Sequence, residues 1–182
     1  EGMVGSAIFR LLMKKNYKII DCNRKKLDLT SQDGVYRWFK KNQPDIVINA
    51  AGKVGGILDN SKYQSDYLYI NTMIGMNLVN ASYKYKVKKL INLGSACIYP
   101  RNSKQPIKEE YLLNSPLEKT NEGYALAKII GLKLTEYISD NLEGYKTIIP
   151  CNLYGPYDKF GLENSHVFGA TVNKVLNPNS DT

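Results

Sequence analysis

Apolar positions along the chain alternate between two periods. In residues 4–15, Val4, Ile8, Leu11 and Leu12 share one face of an amphipathic helix. Tyr17-Lys18-Ile19-Ile20-Asp21-Cys22 then reads as a short strand. Thr30 or Ser31 offers an N-cap for a helix through Val35, Trp38 and Phe39 that must end before Pro44. Asp45-Ile46-Val47-Ile48-Asn49-Ala50-Ala51 is a nearly continuous apolar strand, the kind buried on both faces of a parallel sheet, and a glycine-rich loop follows it. A long helix is expected over 61–85, a strand at Lys89-Leu90-Ile91-Asn92-Leu93, and a helix over 121–141. Residues 99–122, rich in Pro, Asn, Ser and charge, read as a long functional loop with at most short helices. Thr147-Ile148-Ile149-Pro150-Cys151-Asn152 reads as a strand made irregular by its proline, and 165–176 as a last helix.

Strands and helices in strict alternation predict an α/β doubly wound (Rossmann) parallel sheet with helices on both faces. Ligands of such sheets bind at the carboxyl ends of the strands, which directs attention to the loops beginning at Gly52, Ser95 and Asn152.

Composition narrows the class. The 182 residues are 43% hydrophobic and 23% charged, as in a soluble globular domain, and no run approaches the roughly 18 apolar residues a spanning helix needs, so no membrane partner is expected. The net charge of +8 raises a polyanion partner. The basic residues are nonetheless dispersed, and the densest run, Lys84-Tyr85-Lys86-Val87-Lys88-Lys89, reads as a solvated helix end, so nucleic acid is not expected either. Three cysteines at wide spacing, Cys22, Cys97 and Cys151, suit neither a disulfide framework nor a metal motif. With no secretory pattern at residues 1–5, a reducing, cytoplasmic location and no metal are the expectation.

Four features could carry chemistry. Gly2-x-x-Gly5 before a helix looks like part of a glycine turn that brings backbone close to a pyrophosphate. Tyr124 and Lys128 stand one helical turn apart, a spacing at which an ammonium lowers a phenol's pKa and readies it for proton transfer near neutral pH. Tyr36/Lys40 and Tyr85/Lys89 share that interval, but only Tyr124 follows a strand ending in Gly94-Ser95-Ala96-Cys97, whose Ser95 could bond the same substrate oxygen. Cys97, two residues on, points the same way as Ser95 if the segment stays extended, and reads either as a buried small hydrophobe or as a reactive thiol. His166, the single histidine, is either structural or catalytic. Cys22 and Cys151 read as packing residues.

Taken in order, Gly2-Met3-Val4-Gly5-Ser6-Ala7-Ile8, Ala50-Ala51-Gly52-Lys53-Val54-Gly55-Gly56-Ile57, Leu93-Gly94-Ser95-Ala96-Cys97-Ile98-Tyr99-Pro100, Tyr124-x-x-x-Lys128, Asn152-Leu153-Tyr154-Gly155-Pro156 and Asn164-Ser165-His166-Val167 resemble the GDP-L-fucose synthase family, a branch of the extended short-chain dehydrogenase/reductases. The resemblance implies NADPH-dependent 3,5-epimerisation and 4-reduction of a GDP-linked 4-keto-6-deoxymannose. It makes Cys97 and His166 the acid/base pair at C3 and C5. Tyr124 becomes the proton donor to the C4 oxygen, Ser95 a hydrogen-bond partner of that oxygen, and Lys128 the holder of cofactor ribose and phenol.

For NADP(H), the same resemblance implies Gly2, Met3, Val4, Gly5, Arg24, Ala50, Ala51, Lys128, Asn152 and Leu153. Arg24 would meet the 2′-phosphate, against the competing sign of Asp21. Val54, Gly55, Gly56, Ser95 and His166 are the implied substrate contacts. It also implies an NADP-binding domain over 1–160 whose first strand, central in a 3-2-1-4-5-6 order, would lie upstream of Glu1. A substrate-binding region would begin at 161–182 and continue past Thr182, and the full-length protein would be a homodimer. Another nucleotide-sugar epimerase, dehydratase or reductase of the superfamily would keep Tyr124 and Lys128 without needing Cys97 and His166, and a non-catalytic nucleotide-binding fragment would need neither pair.

Overall fold

The structure, a computed structural model, describes residues 2–20, 22–140, 143–158, 165 and 167–177. Three parallel strands form one sheet in the order β1 (Ile46–Asn49), β2 (Lys89–Leu93), β3 (Tyr145–Ile148). Helices run between and around them: α1 (Met3–Lys14), α2 (Gln32–Asn42), α3 (Ile57–Lys62), α4 (Gln64–Lys84), α5 (Glu122–Ser139) and α6 (Val167–Leu176). The sequential parallel order with helical crossovers is the Rossmann-like winding expected from the sequence.

Local chemistry accounts for most boundaries. Ser31 caps α2, its Oγ accepting the Gly34 amide at 3.2 Å. Gln43 ends the helix in the left-handed region at φ 44°, just before Pro44. Val35 and Phe39 on α2 meet Ile74, Leu78 and Ala81 of α4 in one core cluster, and full burial of a side chain such as Phe39 contributes about 2–3 kcal/mol. Val79, Leu90 and Tyr145 form a second cluster between helix and sheet.

The sheet presents two unlike faces. Toward α4 and α5 it shows Val47, Leu90 and Tyr145, then a polar row in register: Asn49 donates to Asn92 Oδ1 at 2.9 Å, and Asn92 donates to Thr147 Oγ1 at 3.5 Å. The alternate positions turn the other way, and of these Ile46 and Ile148 are 44% and 49% exposed.

Several expectations need correction. The strand expected at 17–22 is absent from the described residues of that segment, and Tyr17 and Ile20 are exposed. Its ladder partner in the implied order is a strand that no described segment supplies, and strand backbone without a partner gains nothing over hydration. The helix expected over 61–85 is two helices, broken at Tyr63, where φ −122° and ψ 41° leave the helical region. The last strand lies two residues earlier than expected. Tyr145 is buried with its hydroxyl donating to Val87 O at 3.1 Å, which anchors the start, while Pro150 has no N–H to extend the ladder. Cys22 and Cys151 are both exposed, so neither is a packing residue.

Candidate active site

β2 ends at Leu93, and Ser95 follows as the extended N-cap of a 3₁₀ turn at Ala96–Ile98, its Oγ accepting the Cys97 amide at 3.3 Å. The segment does not stay extended, so the condition under which Cys97 would point the same way as Ser95 is not met: the capping bond coils the chain. Cys97 nonetheless stays at the site, half-buried against Ile98, Leu117, Ala125 and Ile129 and close enough to Tyr124 to bear on its ionisation.

Tyr124 and Lys128 sit on the first turns of α5. That helix start is pinned from α4. Gln64 accepts the Gly123 amide at 3.0 Å and donates to Lys119 O at 2.8 Å. A Cβ on Gly123 would come within 2.5 Å of Gln64 O, so only glycine lets the two helix ends approach this closely.

Burial raises the Tyr124 phenol to about 12, with Cys97 adding to the rise and a hydrogen bond from Ser95 opposing it. Lys128 takes no part in lowering it, contrary to the sequence expectation. Its ammonium lies 5.7 Å from the Tyr124 ring centroid and donates to Leu93 O at 3.0 Å, and burial pulls its own pKa down to about 8. The phenol is thus fully protonated near neutral pH, which suits an acid rather than a base.

Sequence reasoning missed several residues around this cluster. Asn71 of α4 is buried, accepts the Lys53 amide at 2.9 Å, and donates to Lys53 O at 3.1 Å and Tyr67 O at 2.8 Å, fastening the 52–56 loop to the helix. A cavity of about 10 Å³, lined by Asn49, Asn71, Asn92 and Lys128 among others, is room for about one water. An asparagine among the apolar positions of a helix was the available signal. In the loop itself Val54 is exposed, while Gly55 and Gly56 are buried, their carbonyls accepting from Asn60 Nδ2 at 2.8 and 3.0 Å.

Of the expected cofactor residues, Gly5 and Ala50 adjoin one another just past β1. A Cβ on Gly5 would lie 3.9 Å from Ala50 Cβ just past β1, and one on Gly155, in the loop after Asn152 and Leu153, would lie 4.0 Å from Met3 Sδ. Asn152 and Leu153 are exposed, and Ala51 bonds through its amide to Asn49 Oδ1 at 3.1 Å. Arg24 is exposed on a turn made by Asn23, whose Oδ1 accepts the amides of Lys25 and Lys26. His166 and Asp21 lie outside the described residues. The decoy pairs separate cleanly: Tyr36 bonds with Asn80 and packs edge-on to Tyr85, while Lys40 and Lys89 are exposed. Among the described residues no cluster could hold a metal ion, and no helix is long and apolar enough to cross a membrane.

A parallel Rossmann-like sheet with a hydroxyl, a phenol and an ammonium gathered past the carboxyl end of its central strand defines the class of short-chain-dehydrogenase-like folds. Within that class the chain belongs to the NAD dependent epimerase/dehydratase family, which it matches over residues 1–181. It is 47% identical over 176 residues to a GDP-L-fucose synthase of Sinorhizobium fredii, covering 96% of this chain and 56% of that protein. It is 44% identical over 177 residues to a GDP-L-colitose synthase of Yersinia pseudotuberculosis, covering 96% of this chain and 58% of that protein. Among solved structures it is similar to a GDP-L-fucose synthetase of Naegleria fowleri bound to NADP, with a TM-score of 0.84, 30% identity, and coverage of 96% of this chain and 58% of that one. The chain thus spans little more than half the length of these relatives.

Proposed function

We propose that the protein is an NADP(H)-dependent 3,5-epimerase and 4-reductase that converts GDP-4-keto-6-deoxymannose to GDP-L-fucose. The observation that carries this reading is the convergence of Ser95, Cys97, Tyr124 and Lys128 past the end of β2. The C4 ketone acidifies the neighbouring C–H bonds, and a thiol beside the phenol gives one site both a carbon acid/base and an oxygen acid. Cys97 exchanges the proton at one carbon with His166 as its partner, and Ser95 holds the ketone oxygen. Tyr124, protonated at its pKa of about 12, then donates its proton to that oxygen.

The residues fit the cofactor. Gly2 caps α1 without a side-chain bond, which leaves the first-turn amides of Met3, Val4 and Gly5 as the donors that would meet a pyrophosphate. Ala50, Ala51, Asn152 and Leu153 would line the cofactor, Lys128 would hold its ribose, and exposed Arg24 would take the 2′-phosphate with Lys25 and Lys26 next in the chain. When bound, NADPH supplies the hydride for C4. Val54, Gly55 and Gly56 receive the sugar.

On this reading residues 1–160 form the NADP-binding domain and 161–182 begin the substrate-binding region. The full-length protein is a cytoplasmic homodimer joined through α4 and α5, which expose Tyr69, Met76, Ile130 and Tyr137. The Yersinia relative, nearly as similar, favours one second reading, the same chemistry on a different GDP-linked 4-keto sugar. Incubating the full-length protein with GDP-4-keto-6-deoxymannose and NADPH decides. GDP-L-fucose is the expected product, and recovery of unreacted substrate would rule the first reading out.

A further inference from the structure

A polar pair lies beneath the turn at Gly55 and Gly56 without a task in the scheme above. Tyr67 of α4 is fully buried, and its hydroxyl donates to Asp59 Oδ2 on α3. Its ring stands edge-on to Tyr124, with centroids 6.3 Å apart and planes at 78°. A Cβ on Gly55 would overlap the Tyr67 hydroxyl and come within 2.6 Å of Asp59 Oδ2, so these two oxygens occupy the space of the missing side chain. Asn60, next to Asp59, ties down the carbonyls of Gly55 and Gly56, and the Lys53 ammonium, paired with Asp66 at 3.0 Å, lies 5.0 Å from the Tyr67 ring centroid. Burial, then the Asp59 carboxylate, hold the Tyr67 phenol well above the usual tyrosine range, so it remains a donor at any pH the protein meets. Phenylalanine would fill the same core volume without committing a carboxylate to a partly buried place. The oxygen is the costly part, and it sits under the turn.

We propose that Tyr67, clamped by Asp59, is a positioning residue: it sets the height of the turn at Gly55 and Gly56 relative to the Tyr124 phenol, and through that turn the fit of the sugar ring. The inference rests on the nucleotide-sugar reading given above. Tyr67 touches the turn with its hydroxyl and Tyr124 with its ring, so the two contacts are separable by mutation.

In the full-length protein, Tyr67→Phe keeps the ring against Tyr124 and removes the prop. The KM for GDP-4-keto-6-deoxymannose should rise about ten-fold, because the unpropped turn holds the binding-competent height only part of the time, with kcat changed less than about two-fold. Hydrogen exchange followed by mass spectrometry should show faster exchange confined to residues 52–60. Combining Asp59→Ala with Tyr67→Phe removes both partners and leaves no carboxylate unpaired, so the melting temperature lost in the single variant returns while KM and exchange stay raised. Gly55→Ala should lower the melting temperature in the wild-type background and be tolerated in the double variant, where both crowding oxygens are gone. Exchange and melting need no substrate, so they judge the clamp separately from the identity of the sugar. Wild-type exchange in Tyr67→Phe, or recovery of exchange and KM together with melting temperature in the double variant, overturns the proposal.

Discussion

Replacing Lys128 by methionine should stabilise the protein while removing the group proposed to hold the cofactor ribose. Burial lowers the Lys128 pKa from 10.5 to about 8, so keeping it charged at pH 7 costs roughly 3 kcal/mol relative to the unfolded chain. Its hydrogen bond to Leu93 O returns about 1 kcal/mol, which the methionine variant forfeits. The net gain is about 2 kcal/mol at pH 7, or about 4–8 °C in melting temperature for a chain of this size. The folded pKa lies below the unfolded one, so the folded state binds fewer protons between pH 8 and 10.5, and wild-type stability recovers as pH rises through that window. The advantage of Lys128→Met should therefore be full below about pH 7.5 and nearly gone by about pH 9.5. Paired thermal melts of wild type and variant from pH 6.5 to 9.5 measure it, and the subtraction cancels every other titrating group. A variant less stable than wild type at pH 7, or an offset that ignores pH, would refute the reasoning.

Three further outcomes follow from the proposed function. Tyr124→Phe should abolish NADPH oxidation yet retain solvent-deuterium exchange at C3 or C5 of the sugar, and wild-type oxidation in that variant would remove the phenol from the reduction. Cys97→Ser should lose deuterium exchange at those carbons by orders of magnitude while NADPH binding, followed by fluorescence, stays within about two-fold; retained exchange at both carbons would return Cys97 to a packing role. Arg24→Ala should weaken NADPH by about one decade and leave NADH nearly unchanged, because only the former carries the 2′-phosphate that a guanidinium can bond. An equal loss for both cofactors would make Arg24 structural.

Much of this arrangement was legible in the residues. β1 and β2 announced themselves as apolar runs, and the tyrosine-lysine pair at Tyr124 and Lys128 was separable from its decoys by the strand that precedes it. The segment at 17–22 failed because a strand is a property of two segments, and its apolar pattern says nothing of whether a partner lies beside it. Whether the segment from Ser95 to Cys97 stays extended was not legible: one bond from the Cys97 amide to Ser95 Oγ coils the chain, and local side-chain bonds of this kind leave no periodic trace. The effect of Lys128 on the Tyr124 phenol was misjudged because spacing reveals proximity but not burial, and burial is the larger influence on both groups. Tyr67 and Asp59 escaped notice since a tyrosine on an apolar helix face looks like core until its oxygen is seen under a glycine.

The row Asn49, Asn92 and Thr147 also serves as an index mark. Parallel strands are joined by long crossovers, so no tight turn sets the offset of one against the next. Sliding β2 by one residue would rotate Asn92 out to the half-exposed face and thrust Ile91 or Leu93 between Asn49 and Thr147, stranding buried amides at about 1–3 kcal/mol each. Sliding it by two would keep the faces right but carry Leu93 O and Ser95 roughly 6.6 Å along the strand. Lys128 could then no longer reach that carbonyl, and Ser95 would pass beyond Tyr124. Three polar side chains on the helix-facing side of the sheet therefore encode an alignment whose errors would be felt first where Lys128 meets Leu93 O and Ser95 meets Tyr124, before the fold itself gave way.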